Sequence, residues 1–164
     1  GIASGSAFWY VVDMTADREG VPAMTVAGAV DMEPFYTWPI RIDQEAHQVF
    51  TMLSNPYPAA WMIADGDCEI KGIAKTDFPS EYGDIIQIWD KEAGQPNQYY
   101  CYLGGEDDPD DGKWFNCNGD APLTEDYENG IPAGSAFWYV VDMTANRDTN
   151  PSITFYNPIK KSAE

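Results

Sequence analysis

The hydrophobic residues of this chain fall into short runs separated by glycine and proline, without the three-to-four-residue spacing of an amphipathic helix. The runs are rich in Val, Ile, Thr, Tyr, Phe and Trp, which fit a pleated, half-buried surface. Short strands at this spacing predict an all-β fold, an antiparallel β-sandwich of the jelly-roll or immunoglobulin-like type. The predicted strands cover residues 6–15, 22–30, 47–54, 84–90, 97–103, 113–117, 135–144 and 151–157.

One of these strands occurs twice with the same sequence. The string GSAFWYVVDMTA occupies residues 5–16 and again residues 134–145. An internal repeat has to be interpreted first, because missing it assigns the wrong architecture. We therefore expect residues 1–35 to be an N-terminal extension that repeats the C-terminal segment, followed by a β-sandwich domain over residues 36–164.

The repeated strand is apolar on both faces, since Phe8, Tyr10 and Val12 alternate with Trp9 and Val11. A strand of this kind is usually buried on both faces. If its backbone is left unpaired, it promotes aggregation. We hypothesise that the first copy is a donor strand that pairs with the sheet of a neighbouring subunit. The residues assigned to this assembly are Phe8, Trp9, Tyr10, Val11 and Val12, with their copies Phe137, Trp138, Tyr139, Val140 and Val141.

The donor strand predicts a structural subunit of an extracellular filament or surface fibre, which assembles head to tail with copies of itself by β-strand exchange. A contact of this kind does not close on itself and propagates into a homopolymer. Two alternatives stay open. In the first, the chain is a glycan-binding or adhesive β module of a tandem-repeat surface protein, and the two copies belong to separate units. In the second, both copies pair within one monomer as pseudo-symmetric strands.

Acidic residues far outnumber basic ones, with 27 Asp and Glu against 9 Lys and Arg and a formal net charge of −18. A surface of this sign repels phosphate, which argues against a nucleic-acid partner. No run of the sequence approaches the roughly 20 apolar residues of a membrane-spanning helix, so we expect no membrane insertion.

Two of the three cysteines, Cys101 and Cys117, flank a turn rich in Gly, Asp and Pro. If the turn centres near Pro109, the two lie almost opposite each other across a hairpin, within reach of a disulfide. That pairing predicts an oxidising, extracellular or cell-surface location. The alternative is two unpaired thiols in a reducing compartment. Cys68 is left without a predicted partner.

The turn between these cysteines is a candidate metal site. It places five carboxylates within six residues, which repel one another unless a cation offsets them. Hard oxygen ligands of this type suit Ca²⁺. The alternative is a solvated turn whose charge is screened. The candidate ligands are Glu106, Asp107, Asp108, Asp110 and Asp111.

Aromatic side chains make up 14% of the chain, enough to form a flat platform on which a sugar ring could stack. The candidate glycan contacts are Trp61, Trp89 and Trp114, and the alternative is that these rings fill the core. Catalytic motifs are poorly represented: His47 is the single histidine, and the sequence has no nucleophile elbow, phosphate-binding loop or zinc-protease motif. We therefore expect no enzyme, and no cofactor apart from calcium.

Four segments, taken together, form a recognisable series of aromatic residues interspersed with glycine and proline. They are SNPYP at residues 54–58, GDIIQIWD at 83–90, the Tyr99-Tyr100 pair, and IPAGSAFW at 131–138. Over roughly residues 45–145 the chain resembles the tandem aromatic and glycine-rich β-sandwich modules of large bacterial secreted or surface-anchored proteins. The resemblance implies an extracytoplasmic β domain. It brings no catalytic residues.

Overall fold

The computed structural model describes residues 35–64, 68–77, 83–90, 92–119, 121–123, 130–145, 147 and 149–157. Within these ranges the chain forms strands and no helix, which confirms the all-β class. The first copy of the repeat and the predicted strand over 22–30 lie outside the described residues. The strands are β1 (Phe35–Pro39), β2 (Gln48–Ser54), β3 (Trp61–Met62), β4 (Cys68–Lys71), β5 (Ile85–Asp90), β6 (Gln95–Cys101), β7 (Trp114–Asn116), β8 (Gly130–Ile131), β9 (Ala136–Asp142) and β10 (Ser152–Tyr156).

The strands pair antiparallel in three sheets. The largest has five strands in the order β2-β9-β5-β6-β7, the next has the order β1-β10-β4, and β3 pairs with β8. The two strands that come last in the described chain, β9 and β10, are therefore interior strands of the two larger sheets. No helix in the described ranges is long and apolar enough to cross a lipid bilayer.

The second copy of the repeat forms β9, an interior strand with a neighbour on each side. All seven of its residues pair with residues of β2, with Thr51 opposite Tyr139. On the other side β9 faces β5, with Ile86 opposite the same tyrosine. β9 is thus paired along its whole length with β2 and over residues 137–140 with β5.

Three aromatic rings join the two larger sheets in one core. Phe137 belongs to β9 of the five-stranded sheet and Phe155 to β10 of the three-stranded sheet, and their ring centroids lie 5.9 Å apart. Trp61 of β3 packs against both, at 6.0 Å from Phe137 and 4.4 Å from Phe155. All three are at most 2% exposed. Burying side chains of this size supplies much of the hydrophobic stabilisation of a small domain.

The two faces of β9 have different surroundings. On the inner face Phe137, Tyr139 and Val141 are at most 2% exposed. On the outer face Trp138 is half-buried and Ala136 is exposed. The expectation that both faces are covered is correct for the inner face and wrong for the start of the outer face, within the residues that the structure describes.

A turn fixes the chain where it enters β9. Gly134 has a φ of 66°, a conformation that glycine adopts without steric cost. The side-chain amide of Asn55 donates hydrogen bonds to the carbonyl oxygens of Ile131 at 2.9 Å and Ala59 at 2.8 Å. These bonds tie the end of β2 to the segment before β9, so the first residues of β9 start from a fixed position.

The predicted disulfide is wrong, because Cys101 and Cys117 are both free thiols. The ladder places Cys101 opposite Trp114, and the amide of Cys117 bonds to the carbonyl of Gln98. The two cysteines are thus offset by three positions along the strands, about 10 Å at the usual strand rise, too far for an S–S bond. Burial raises the pKa of each thiol to about 11.

Candidate functional site

An apolar groove lies on the outer face of the five-stranded sheet. Its floor is a row across three strands, in which Met52 of β2 is opposite Trp138 of β9 and Trp138 is opposite Gln87 of β5. Residues directly opposite in an antiparallel sheet point to the same side, so these side chains share one face. The strand order therefore builds the groove from residues that are far apart in the sequence.

Trp89 and Ala136 shape one end of the groove. Trp89 lies two residues beyond Gln87 on β5, so its side chain leaves the sheet on the same face, and it is 61% exposed. Ala136 lies two residues before Trp138 on β9, and its methyl group leaves open space that a larger side chain would fill. Together with Pro96 and the other lining residues, they bound a groove of about 420 Å³.

An aromatic contact supports the indole of Trp138 beside the groove. The ring of Phe50 meets it nearly edge-on, with centroids 6.1 Å apart and an interplanar angle of 85°. This geometry is favourable because the positive ring edge faces the negative ring face. Phe50 itself is 52% exposed and is not one of the lining residues.

The groove is chemically unusual for this protein. Charged residues make up 22% of the chain, yet none of the described residues that line the groove is charged. Its polar side chain is that of Gln87, whose amide offers both donors and an acceptor. A mostly apolar concavity with few polar groups is the usual form of a small-ligand site.

The three tryptophans predicted as glycan contacts have different positions. Trp61 is fully buried against Phe155, so the prediction is wrong for this residue: no face of its ring is open to a sugar. Trp114 is half-buried and packs against the core. Trp89 lines the groove.

Sequence reasoning missed Trp138 and Gln87. Trp138 was assigned to the assembly strand because it lies in the repeat, and its half-buried position beside Trp89 could not be seen without the strand order. Gln87 and Trp89 stand at alternate positions of β5. That alternation was the available signal that β5 presents a face to the outside.

A buried ion pair forms the second notable cluster. Asp84, whose side chain is 0% exposed, receives two parallel hydrogen bonds from Arg147, Nη1 to Oδ2 at 2.9 Å and Nη2 to Oδ1 at 2.8 Å. The Tyr139 hydroxyl donates to the same carboxylate at 2.6 Å, and the backbone amides of Asp142 and Ala74 donate at 3.0 and 3.1 Å. Charge-assisted, bidentate pairs of this type are strong and geometrically specific.

Arg147 also donates to backbone carbonyls, to that of Gly72 at 3.0 Å and to that of Asp142. Hydrogen bonding to Asp84 raises the pKa of the guanidinium, against the opposing effect of burial. The network joins the segment after β4, the start of β5 and the end of β9. A buried carboxylate needs hydrogen-bond partners of this kind, and those of Asp84 come from three separate segments of the chain.

The repeat carries the β9 side of this network. The segment after β9 continues the match between the two copies, so each residue that serves Asp84 from this side has an identical counterpart. The counterparts of Tyr139, Asp142 and Arg147 are Tyr10, Asp13 and Arg18. Asp84 itself is not part of the repeated segment.

The acidic turn between β6 and β7 is held by contacts with two lysines. The Lys75 ammonium lies 2.8 Å from Asp111 Oδ2, and the Lys113 ammonium lies 2.7 Å from Asp110 Oδ1. The other oxygen of Asp111 accepts the amide of Gly104 at 2.9 Å. The bond from Lys75 and then that from Gly104 lower the pKa of Asp111.

Asp108 closes the same turn, since its carboxylate accepts the amide of Asp110 at 2.9 Å and the hydroxyl of Tyr102 at 3.3 Å. Glu106 and Asp107 are exposed. In the described part of the chain, no three His, Cys, Asp or Glu side chains converge as a metal site requires. Calcium binding at this turn stays a prediction.

His47 lies exposed just before β2, and its carbonyl accepts the amide of Met143. Comparison of this chain with known protein families, with curated protein sequences and with solved structures found no match.

Proposed function

We propose that this chain carries a non-catalytic β-sandwich module of an extracellular tandem-repeat surface protein, in which each unit is completed by its own copy of the repeated segment. The sandwich is supported by Trp61, which packs against Phe137 of one sheet and Phe155 of the other. The observation that carries the tandem arrangement is the place of β9, because the repeated strand already fills an interior position of this domain.

The chemistry of the repeated residues supports separate units. Arg147 is 11% exposed and depends on a fully buried carboxylate. Its counterpart Arg18 comes with the same tyrosine and aspartate, Tyr10 and Asp13, at the same spacing. Residues that hydrogen-bond a buried aspartate stabilise a domain only where such an aspartate is present. The Asp84 of this domain is already served, so we assign the first copy to a second unit with an aspartate of its own.

Strand exchange between subunits is the second candidate function. It is favoured by the identity of the two copies, since an incoming first copy would restore the contacts of β9 with β2 and β5 residue for residue. It would also require the resident β9 to leave its place between those strands. The tandem arrangement requires no such displacement.

Two matched arginine variants separate the candidates. Arg147→Ala should lower the free energy of unfolding by about 3–5 kcal/mol, because it leaves the Asp84 carboxylate buried without its partner. In the tandem arrangement Arg18→Ala should leave both the stability and the light-scattering mass of the chain unchanged. Polymers that dissociate when Arg18 is replaced would overturn the tandem proposal and support strand exchange.

A further inference from the structure

We infer that the groove between Trp89 and Trp138 binds an uncharged saccharide. The inference deepens the proposed function by naming a ligand for the module. Its test measures sugar binding, whereas the test of the tandem arrangement measures mass and stability, so each can fail without the other.

The charge of the groove excludes an ionic ligand. The chain has a net charge of −18, so an anion approaching it is repelled. A cation would find no acidic side chain among the described residues of the lining. A charged group that enters a concavity without a counterion loses hydration and gains no partner. The complementary ligand is therefore neutral.

The size of the groove favours a small ligand over a protein. A stable protein interface uses about 20–30 residues on each side, whereas seven residues of the described part of the chain line the groove. Its volume of about 420 Å³ falls within the range of small-molecule sites, about 300–1,000 Å³.

The lining matches the two kinds of surface that a sugar presents. Trp89 and Trp138 offer aromatic rings to the C–H faces of a pyranose, and Trp89 is 61% exposed without a ligand. In the sheet Gln87 lies between the two tryptophans, because it is opposite Trp138 on β9 and two residues before Trp89 on β5. Its amide can both donate to and accept from a hydroxyl group. A purely apolar ligand would offer that amide no hydrogen bond.

The sheet fixes the backbone that carries these groups before any ligand arrives. Gln87 and Trp89 belong to β5, which pairs with both β6 and β9. Trp138 is additionally held by the edge-on ring of Phe50. Sites on regular strands keep their geometry better than sites on loops, so little conformational freedom is lost when the ligand binds.

The experiment screens the full chain against neutral oligosaccharides, namely cello-, xylo-, manno- and chito-oligomers, and titrates those that bind by calorimetry and tryptophan fluorescence. Trp89→Ala should weaken binding by about tenfold or more, and Gln87→Ala should weaken it as well. The matched control is Phe35→Ala, because Phe35 is an aromatic residue with a similar exposure of 54% on the other sheet. It should leave the affinity unchanged.

Trp89 is a surface side chain, so its variant is expected to fold, and circular dichroism checks this. The inference is overturned if no neutral oligosaccharide binds, or if Phe35→Ala weakens binding as much as Trp89→Ala. It is also overturned if the groove variants change binding of an apolar dye and of no sugar, since the groove would then be a site for an apolar ligand.

Discussion

Arg147 holds the buried carboxylate of Asp84 from 63 positions away in the sequence, with a hydrogen bond to each carboxylate oxygen. The pair joins the segment that follows β9 to the start of β5. Because the Ala74 amide also donates to Asp84, the stretch after β4 is fixed to the same point. One ion pair thus connects elements of both larger sheets.

Replacing the arginine should cost more than replacing any surface cation. We expect Arg147→Met to lower the free energy of unfolding by about 3–5 kcal/mol, because it keeps the apolar stem and leaves a buried charge unpaired. Urea denaturation measures the loss. The control is Lys113→Met, which removes a pair with Asp110 whose side chains are 50% and 38% exposed, and should cost less than about 1 kcal/mol. Equal losses would contradict a dominant role for Asp84.

Thr51 offers a stabilising substitution. Its hydroxyl is buried and has no hydrogen-bond partner within the described residues. Thr51→Val keeps the shape and removes the unsatisfied group, so we expect the free energy of unfolding to rise by about 1 kcal/mol. Thr37→Val is the matched control, because the Thr37 hydroxyl lies 2.9 Å from that of Thr154; this variant should be less stable than the parent. A destabilised Thr51→Val would show that the hydroxyl has a partner after all.

The two thiols should be slow to react in the folded protein. Burial raises the pKa of Cys101 and Cys117 to about 11, so the reactive thiolate becomes abundant only as the pH rises toward that value. At pH 8 iodoacetamide should modify them roughly a hundredfold more slowly in the native state than in urea, where ordinary thiol pKa values return. Peptide mass spectrometry follows each site. A linked Cys101–Cys117 peptide in a non-reduced digest would contradict the free-thiol assignment.

The contacts of Asp111 in the acidic turn should be lost only at a pH below the ordinary pKa of an aspartate. The pKa of Asp111 is lowered, chiefly by its bond from Lys75, so its contacts persist above the ordinary value of 3.8 and are lost as the pH falls through the lower folded value. The amide resonance of Gly104, which donates to this carboxylate, should therefore titrate below pH 3.8. Asp111→Asn should abolish that titration. A midpoint above 3.8 would contradict the lysine contact.

Calcium needs a separate comparison, because any salt screens carboxylate repulsion. If the turn binds Ca²⁺, the melting temperature should rise more in CaCl₂ than in NaCl of equal ionic strength. Replacing Asp108 and Asp110 by asparagine should remove the difference. Equal shifts in the two salts would leave the turn held by Lys75 and Lys113 alone.

The strands with the strongest apolar runs could be predicted from the sequence. Residues 47–54, 84–90 and 135–144 contain β2, β5 and β9 nearly to the residue. The strands β1 and β4, at the edges of the described three-stranded sheet, were missed because each is short. β1 has five residues and ends in a proline, and β4 has four residues with the mixed sequence CEIK.

The register and the inward or outward direction of side chains could not be predicted. The cysteine pairing depended on where the turn between β6 and β7 centres, and three positions of error turned a plausible disulfide into two separate thiols. Likewise Trp61 and Trp89 look equivalent in the sequence, and only the sheet order makes one a core residue and the other part of a groove. The first error is one of hairpin register, and the second comes from pairing between strands that are distant in the sequence, which local patterns do not encode.

The order of strands in the sheets also sets the order in which the domain can fold. In the described sheets β2 pairs with β9, and β1 and β4 pair with β10. The Thr37 hydroxyl, for example, bonds to that of Thr154, 117 positions later in the sequence. Closing loops of this length is entropically unfavourable and slow. During synthesis β5, β6 and β7 can pair as they emerge, whereas the partners that β1, β2 and β4 have in the folded domain are made only with residues 136–156. The segment that completes both larger sheets is thus also the one that supplies the last of the described strands.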